Sequence, residues 1–207
     1  MSDIALAPEE HHDPYPGLSN HTSTGISNSK LGLWVFLGSE CLLFGALIST
    51  YLLYNGRALE GPTPSDVYNI PFTSVSSFVL LMSSLTMVLA VSAAHRGEMR
   101  RMRLWIFTTA VLGASFIAGQ VYEFTVMKKE GLGYTTNIFG SAFYSLTGFH
   151  GVHVTIGIIM LLSLLGLSFR GKLPQEKAET VEVIGLYWHF VDVVWIVIFT
   201  VVYLIHK

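Results

Sequence analysis

The sequence predicts an all-α fold: a polytopic membrane protein built as a bundle of five transmembrane helices. Three observations lead there. Charged residues make up only 13% of the 207-residue chain, about half the share of a soluble domain. Hydrophobic residues make up 51%, and the mean hydropathy is +0.53. The apolar residues are gathered into long runs over 31–54, 70–94, 104–127, 138–169 and 181–205. Each run meets the roughly 20 residues that a helix needs to cross ~30 Å of hydrocarbon.

The same composition excludes other classes. Lys plus Arg at 12 against Asp plus Glu at 14 gives a net charge of −2, and no basic block is long enough to follow a phosphate backbone, so no nucleic-acid partner is expected. The single cysteine, Cys41, sits in an apolar run. It can make no internal disulfide and belongs to no metal-type spacing, which leaves it as a small buried hydrophobe.

Residues 1–30 are polar, rich in Ser, Pro, His and acid, and read as a mobile tail. The start Met1-Ser2-Asp3 lacks the basic and apolar regions of a secretory signal, so no cleaved signal is expected. Glu9-Glu10-His11-His12-Asp13 has metal-binding residue types, but a free tail supplies no fixed geometry. Residues 31–207 form the membrane domain. Its second run carries Ser76, Ser83 and Ala90 at seven-residue spacing, its third Ala114 and Ala118, and its fourth Gly140, Gly148 and Gly151. Small residues let backbones approach where no hydrophobic force joins helices, so these positions are expected to mark helix–helix seams. The fourth run is longer than a bilayer requires and is expected to tilt or project.

Orientation follows from the basic residues. Lys30, Arg96, Arg100, Arg101, Arg103, Arg170, Lys172 and Lys177 fall on one side, eight in all, against four for Arg57, Lys128, Lys129 and Lys207. The positive-inside tendency places the N-terminus in the cytoplasm and the C-terminus outside.

No Lys or Arg lies well inside the runs, yet Glu40, Glu123 and Asp192 do. A charge at mid-bilayer costs about 2.5–3.5 kcal/mol on insertion scales, so each acid must be protonated, paired or beside water. The titratable partners available in the runs are His150, His153 and His189. Glu40, His150, His153, His189 and Asp192 fall at similar depth, while Glu123 lies four residues from the end of its run and is expected to be partly hydrated. His189 and Asp192 are expected to meet His150, His153 or Glu123 across the seam of the last two helices. Three readings compete: a structural hydrogen-bond network, a b-type haem held by one histidine from each of the last two helices, and a proton or ion path.

Ser39-Glu40-Cys41-Leu42-Leu43-Phe44 and Gly61-Pro62-Thr63-Pro64 stand out as short motifs. The first resembles the Ser-Glu-x-x-Phe-Phe segment of cytochrome c oxidase subunit III, of the haem-copper oxidase subunit 3 family, and the second resembles its Pro-Thr-Pro loop. Gln120-Val121-Tyr122-Glu123 is similar to its Gln-x-x-Glu, and Gly148-Phe149-His150-Gly151-Val152-His153-Val154 to its Gly-Phe-His-Gly-Leu-His-Val. Trp188-His189-Phe190-Val191-Asp192-Val193-Val194-Trp195 looks like its closing motif almost residue for residue. The likeness spans about residues 30–207. It departs from the seven-helix mitochondrial form, in which two further helices make one arm of a V-shaped lipid cleft, and looks like the five-helix bacterial form.

The resemblance implies a non-catalytic subunit of a proton-pumping terminal oxidase in the aerobic respiratory chain, multi-pass in the bacterial plasma membrane, with no cofactor of its own. Haem and copper are then expected in partner subunits. The implied partners are subunit I directly, subunit II and a small subunit IV in the complex, and membrane lipids, with bound phospholipid. The implied role is to stabilise the catalytic subunit and support proton uptake and lipid or oxygen access. Glu40 matches the family's carbodiimide-reactive carboxyl, a reaction that needs the protonated form, and is tied to lipid or proton uptake. The match demotes the haem-b electron-carrier reading of the histidines. Subunit III of a ubiquinol oxidase and a nitric-oxide-reductase-associated homologue stand as alternatives. In the quinol type the histidine motif often begins Gly-Thr-His-Gly and the first-helix acid is often Asp, so Phe149 and Glu40 favour the cytochrome c type.

Overall fold

In the computed structural model the described residues are 27–54, 69–171 and 178–205. The Glu9–Asp13 cluster and the Pro-Thr-Pro loop lie outside them. The elements are α1 (Asn28–Tyr54), α2 (Ile70–His95), α3 (Met99–Lys129), α4 (Ile138–Phe169) and α5 (Ala178–Phe199), the last continued by a π-helical turn over Thr200–Leu204. All five are long and apolar enough to cross a membrane.

Helix boundaries run past the apolar runs because helical hydrogen bonding does not stop where hydropathy does. The first three residues of α1, including Lys30, come from the polar tail segment, and α3 takes in Arg100, Arg101 and Arg103. Stops and starts have local causes. The Asn69 and Asn137 side chains accept from the backbone N–H of Phe72 (3.2 Å) and Gly140 (2.6 Å), capping α2 and α4. Gly97 (φ 71°) and Gly131 (φ 90°) end α2 and α3 in the left-handed conformation that only glycine adopts freely.

Helices α2, α3, α4 and α5 form a closed ring of neighbours, and α1 lies outside it against α4 and α5. The core of the ring is Trp188, Phe116, Met87, Met102, Ile106 and Leu161, all essentially inaccessible. Trp188 of α5 is clamped between Gly113 of α3 and Gly157 of α4. Its indole N–H donates to the Ser83 hydroxyl of α2 at 3.0 Å, and the Trp195 indole donates to Ser77 at 2.9 Å. Helix α1 buries only Leu37, Phe44 and Tyr51, one residue every two turns, along a narrow seam. At one end it is tied down by Lys30 to Glu182 (3.0 Å) and by Ser27 to Glu179.

The small-residue expectations need correction. Ser83 and Ala90 are buried in the ring, but Ala114 and Ala118 are exposed and the α3 seam is made by Ala110, Gly113 and Gln120. Gly148 faces open space, whereas Gly151 and Gly157 take the close contacts on α4. Cys41 is exposed on the outward face of α1, not buried.

Candidate functional site

The intramembrane polar residues sit in four separate settings. Glu40 on α1 meets His153 on α4, Oε2 to Nε2, at 3.0 Å, with only 13% and 11% of their side chains exposed. The other ring nitrogen of His153, Nδ1, is 2.7 Å from the Phe149 carbonyl. A carbonyl only accepts, so Nδ1 carries a hydrogen. The Glu40–His153 contact therefore holds one shared proton: a carboxylic acid donating to a bare Nε2, or a carboxylate accepting from an imidazolium. Either way the pair is neutral as a unit, which is how a carboxyl is tolerated at this depth. The Tyr187 hydroxyl donates to the His153 carbonyl at 3.0 Å, and the Phe44 ring packs edge-on to His153 at 5.1 Å.

His150, one turn away on α4, is fully buried and turned inward. Its Nε2–H donates to the Val191 carbonyl of α5 at 3.2 Å. Its ring lies 4.8 Å from Trp195 and 5.9 Å, edge-on, from Phe116. On the α2 side of α5, His189 Nδ1 lies 2.6 Å from the Ser84 hydroxyl. Asp192, one turn on, interacts with the same serine side chain. Neither of its buried carboxyl oxygens makes a direct hydrogen bond. Glu123 of α3 accepts at Oε1 from the hydroxyls of Thr73 (2.8 Å, α2) and Tyr203 (3.2 Å, in the π turn).

The structure pairs Glu40 with His153, one of the three histidines open to the acids. It does not bring His189 or Asp192 to His150, His153 or Glu123; α5 turns that pair toward α2 while His150 and His153 meet other faces. Glu123 is buried, 8% exposed, and bonded to two hydroxyls instead of being partly hydrated. The residues that sequence reasoning missed are the hydroxyl partners Thr73, Ser84, Tyr187 and Tyr203. Such residues are common in any membrane helix, and the available signal was weak: Ser77 and Ser83 on α2 are spaced nearly as Trp195 and Trp188 are on α5.

The two-histidine haem does not fit these residues. The ring of His150 is packed against Trp195 and Phe116, and its Nε2 is committed to the α5 backbone, while His189 faces α2. Among the described residues no group of three or more His, Cys, Asp or Glu is placed to hold a metal ion. The arrangement instead joins helices: Glu40–His153 links α1 to α4, His150 links α4 to α5, Ser84–His189 links α2 to α5, and Glu123 links α3 to α2 and α5.

These links have unequal strengths, which gives a direct expectation. Replacing Glu123 by Leu removes the buried acceptor that the Thr73 and Tyr203 hydroxyls share and should cost about 1–3 kcal/mol. Asp192→Asn breaks no direct hydrogen bond and should leave thermal unfolding close to wild type. Melting of the purified protein in its native complex checks the order; a larger loss for Asp192→Asn would contradict it.

Fold and site together define a multi-pass helical membrane protein organised around intramembrane acid, histidine and hydroxyl contacts. The sequence model of the family described as cytochrome c oxidase subunit III matches residues 15–206. Cytochrome c oxidase subunit 3 of Bacillus sp. (strain PS3) is 41% identical over 193 residues, covering 93% of each chain. Quinol oxidase subunit 3 of Bacillus subtilis (strain 168) is 38% identical over 196 residues, covering 94% of this chain and 95% of the relative. Cytochrome bo(3) ubiquinol oxidase subunit 3 of Pseudomonas aeruginosa is 34% identical over 201 residues, covering 97% and 94%. The chain belongs to the cytochrome c oxidase subunit III family.

Proposed function

We propose that this chain is the non-catalytic subunit III of a bacterial haem-copper terminal oxidase, multi-pass in the plasma membrane with its N-terminus in the cytoplasm. Haem and copper belong to the partner subunits, with subunit I as the direct neighbour and subunit II and a small subunit IV completing the complex. Within it the chain stabilises the catalytic subunit and supports proton uptake and lipid or oxygen access. The observation that carries the reading is the Glu40–His153 hydrogen bond, in which the carboxyl of the family's first-helix motif meets the second histidine of its Gly-Phe-His-Gly motif. Affinity-tagged chain drawn from native membranes is expected to bring down a haem-copper catalytic subunit, read by haem absorption and subunit masses. Recovery of the chain alone, or with a transport complex only, would overturn the proposal.

The electron donor is taken by another subunit. Glu40 and Phe149 favour the cytochrome c type, while relatives named for quinol oxidases are 38% and 34% identical. Turnover of the copurified complex with reduced cytochrome c against quinol separates the two.

Glu40 acts in this reading as a structural and lipid-positioning group. Glu40→Gln keeps a donor toward His153 Nε2 at similar volume. The variant complex is expected to assemble normally and to release protons per electron as wild type does. A substantially lower proton-to-electron ratio at normal assembly would show that the carboxyl exchanges protons during turnover.

A further inference from the structure

The α3–α4 face carries a groove that none of the polar contacts above uses. Its wide end is a cavity of about 580 Å³ beside the last turn of α3, bordered by Lys128, Tyr134, Thr135, Phe124 and Val121. Val121 and Phe124 also border a second cavity of about 310 Å³, which continues along the two helices past Gly148, Val152 and Gln120 to Ile117. Lys128 and Ile117 are eleven residues apart on α3, so the groove runs ~16 Å along the helix. That is about half the thickness of a hydrocarbon core, the depth of one leaflet.

The two ends differ in chemistry. At the wide end Lys128 is exposed, and among the described residues it has no ion pair. The loop beyond it is held in place by its own bonds. The Thr136 hydroxyl accepts from the Gly133 N–H at 2.8 Å, Ser141 donates to the Tyr134 carbonyl at 2.6 Å, and Tyr144 donates to the Leu132 carbonyl at 2.8 Å. Tyr134 is thereby set at the rim, 58% exposed. Toward the membrane centre the walls are Val121 and Val152, both more than half exposed. A Cβ built on Gly148 meets nothing within 4 Å, so the missing side chain there leaves the groove open.

We propose that this groove binds one phospholipid with an anionic head group, its phosphate at Lys128 and the Tyr134 rim and one acyl chain laid along α3 and α4 toward Gly148. The pairing of a cationic, hydroxyl-bearing mouth with an apolar channel one leaflet deep matches that ligand at both ends. The site is separate from the Glu40–His153 contact, which lies on the side of α4 that faces α1.

Gly148→Leu tests it, because a Cβ there meets nothing within 4 Å and Gly148 borders the groove that the added side chain would occupy. Gly166→Leu adds the same bulk on α4 outside the groove, where a Cβ also meets nothing within 4 Å. The affinity-purified native complex, exchanged into phosphatidylglycerol or phosphatidylcholine, is read by native mass spectrometry. Wild type and Gly166→Leu are expected to retain one more phosphatidylglycerol than Gly148→Leu. Lys128→Gln should weaken phosphatidylglycerol retention about fivefold, the worth of one interfacial lysine against an anionic head group, and leave phosphatidylcholine unchanged. Equal retention in wild type, Gly148→Leu and Lys128→Gln would overturn the proposal. So would efficient cross-linking of a cysteine placed at Val152 to a helix of another subunit, which would make the groove a protein interface.

Discussion

Complexes carrying Gly113→Ala or Gly157→Ala are expected to assemble poorly, with large stability losses for a single added methyl. A Cβ at Gly113 would lie 2.5 Å from Trp188 Cη2, and one at Gly157 would lie 2.9 Å from both Cε3 and Cζ3 of the same ring. A flexible side chain could swing aside. The indole cannot, because it is fused, buried and anchored through its N–H to Ser83 on the facing helix. Either methyl therefore pushes α5 away from α3 or α4, opening the ring, or breaks that hydrogen bond. Overpacking of this kind costs about 1–3 kcal/mol, and stranding the buried indole N–H adds about 1–3 kcal/mol. Gly38→Ala and Gly45→Ala, on the outward side of α1, meet nothing within 4 Å and provide the control. They should be neutral or slightly stabilising, since alanine is the better helix former. Yield of assembled complex and its thermal midpoint measure all four; equal behaviour across them would show that Trp188 is not the clamp described.

His153→Leu is expected to release α1 from the bundle, and to harm the protein more than Glu40→Leu does. Helix α1 is 27 residues long but buries only Leu37, Phe44 and Tyr51, so a single intramembrane hydrogen bond is a large share of what holds it. The Lys30–Glu182 ion pair at one end of α1 is about a third exposed and contributes little, about 0–1 kcal/mol. Removing His153 leaves the Glu40 carboxyl at depth without its partner, a loss of about 3–5 kcal/mol where the pair is charged. Removing Glu40 leaves only a neutral imidazole nitrogen unbonded, about 1–3 kcal/mol. The double variant Glu40→Leu with His153→Leu should recover stability relative to His153→Leu alone, because no polar group is then stranded. A double-mutant cycle on thermal unfolding of the complex gives the coupling directly. Additive losses would mean that the contact does not hold α1 in place.

Both expectations rest on features of different legibility. The number of spanning helices was readable because a backbone in lipid must satisfy its hydrogen bonds internally, so a long apolar run has one stable form. Height along each helix could be counted, since each residue advances a helix by a fixed rise. That count is the basis on which Glu40, His150, His153, His189 and Asp192 are expected to share one layer. The family motifs were readable as strings of residues.

Which face of each helix turns inward was decided only by the tertiary structure. In a water-soluble helix the apolar stripe points to the core, but here the lipid side is apolar too, as the exposed Val35, Leu42 and Val75 illustrate, and the pattern carries no such direction. Hence Ala114 looked like a seam residue although Gly113, about 100° around the helix, is the one against Trp188. Hence too the acids found hydroxyls that no spacing singled out: Thr73 and Tyr203 for Glu123, Ser84 beside Asp192. Sequence alone determined that five helices cross the membrane and that six titratable groups travel with them. Rotation of the helices about their axes chose each group's partner, because a hydrogen bond needs contact within about 3 Å and depth alone leaves the azimuth open.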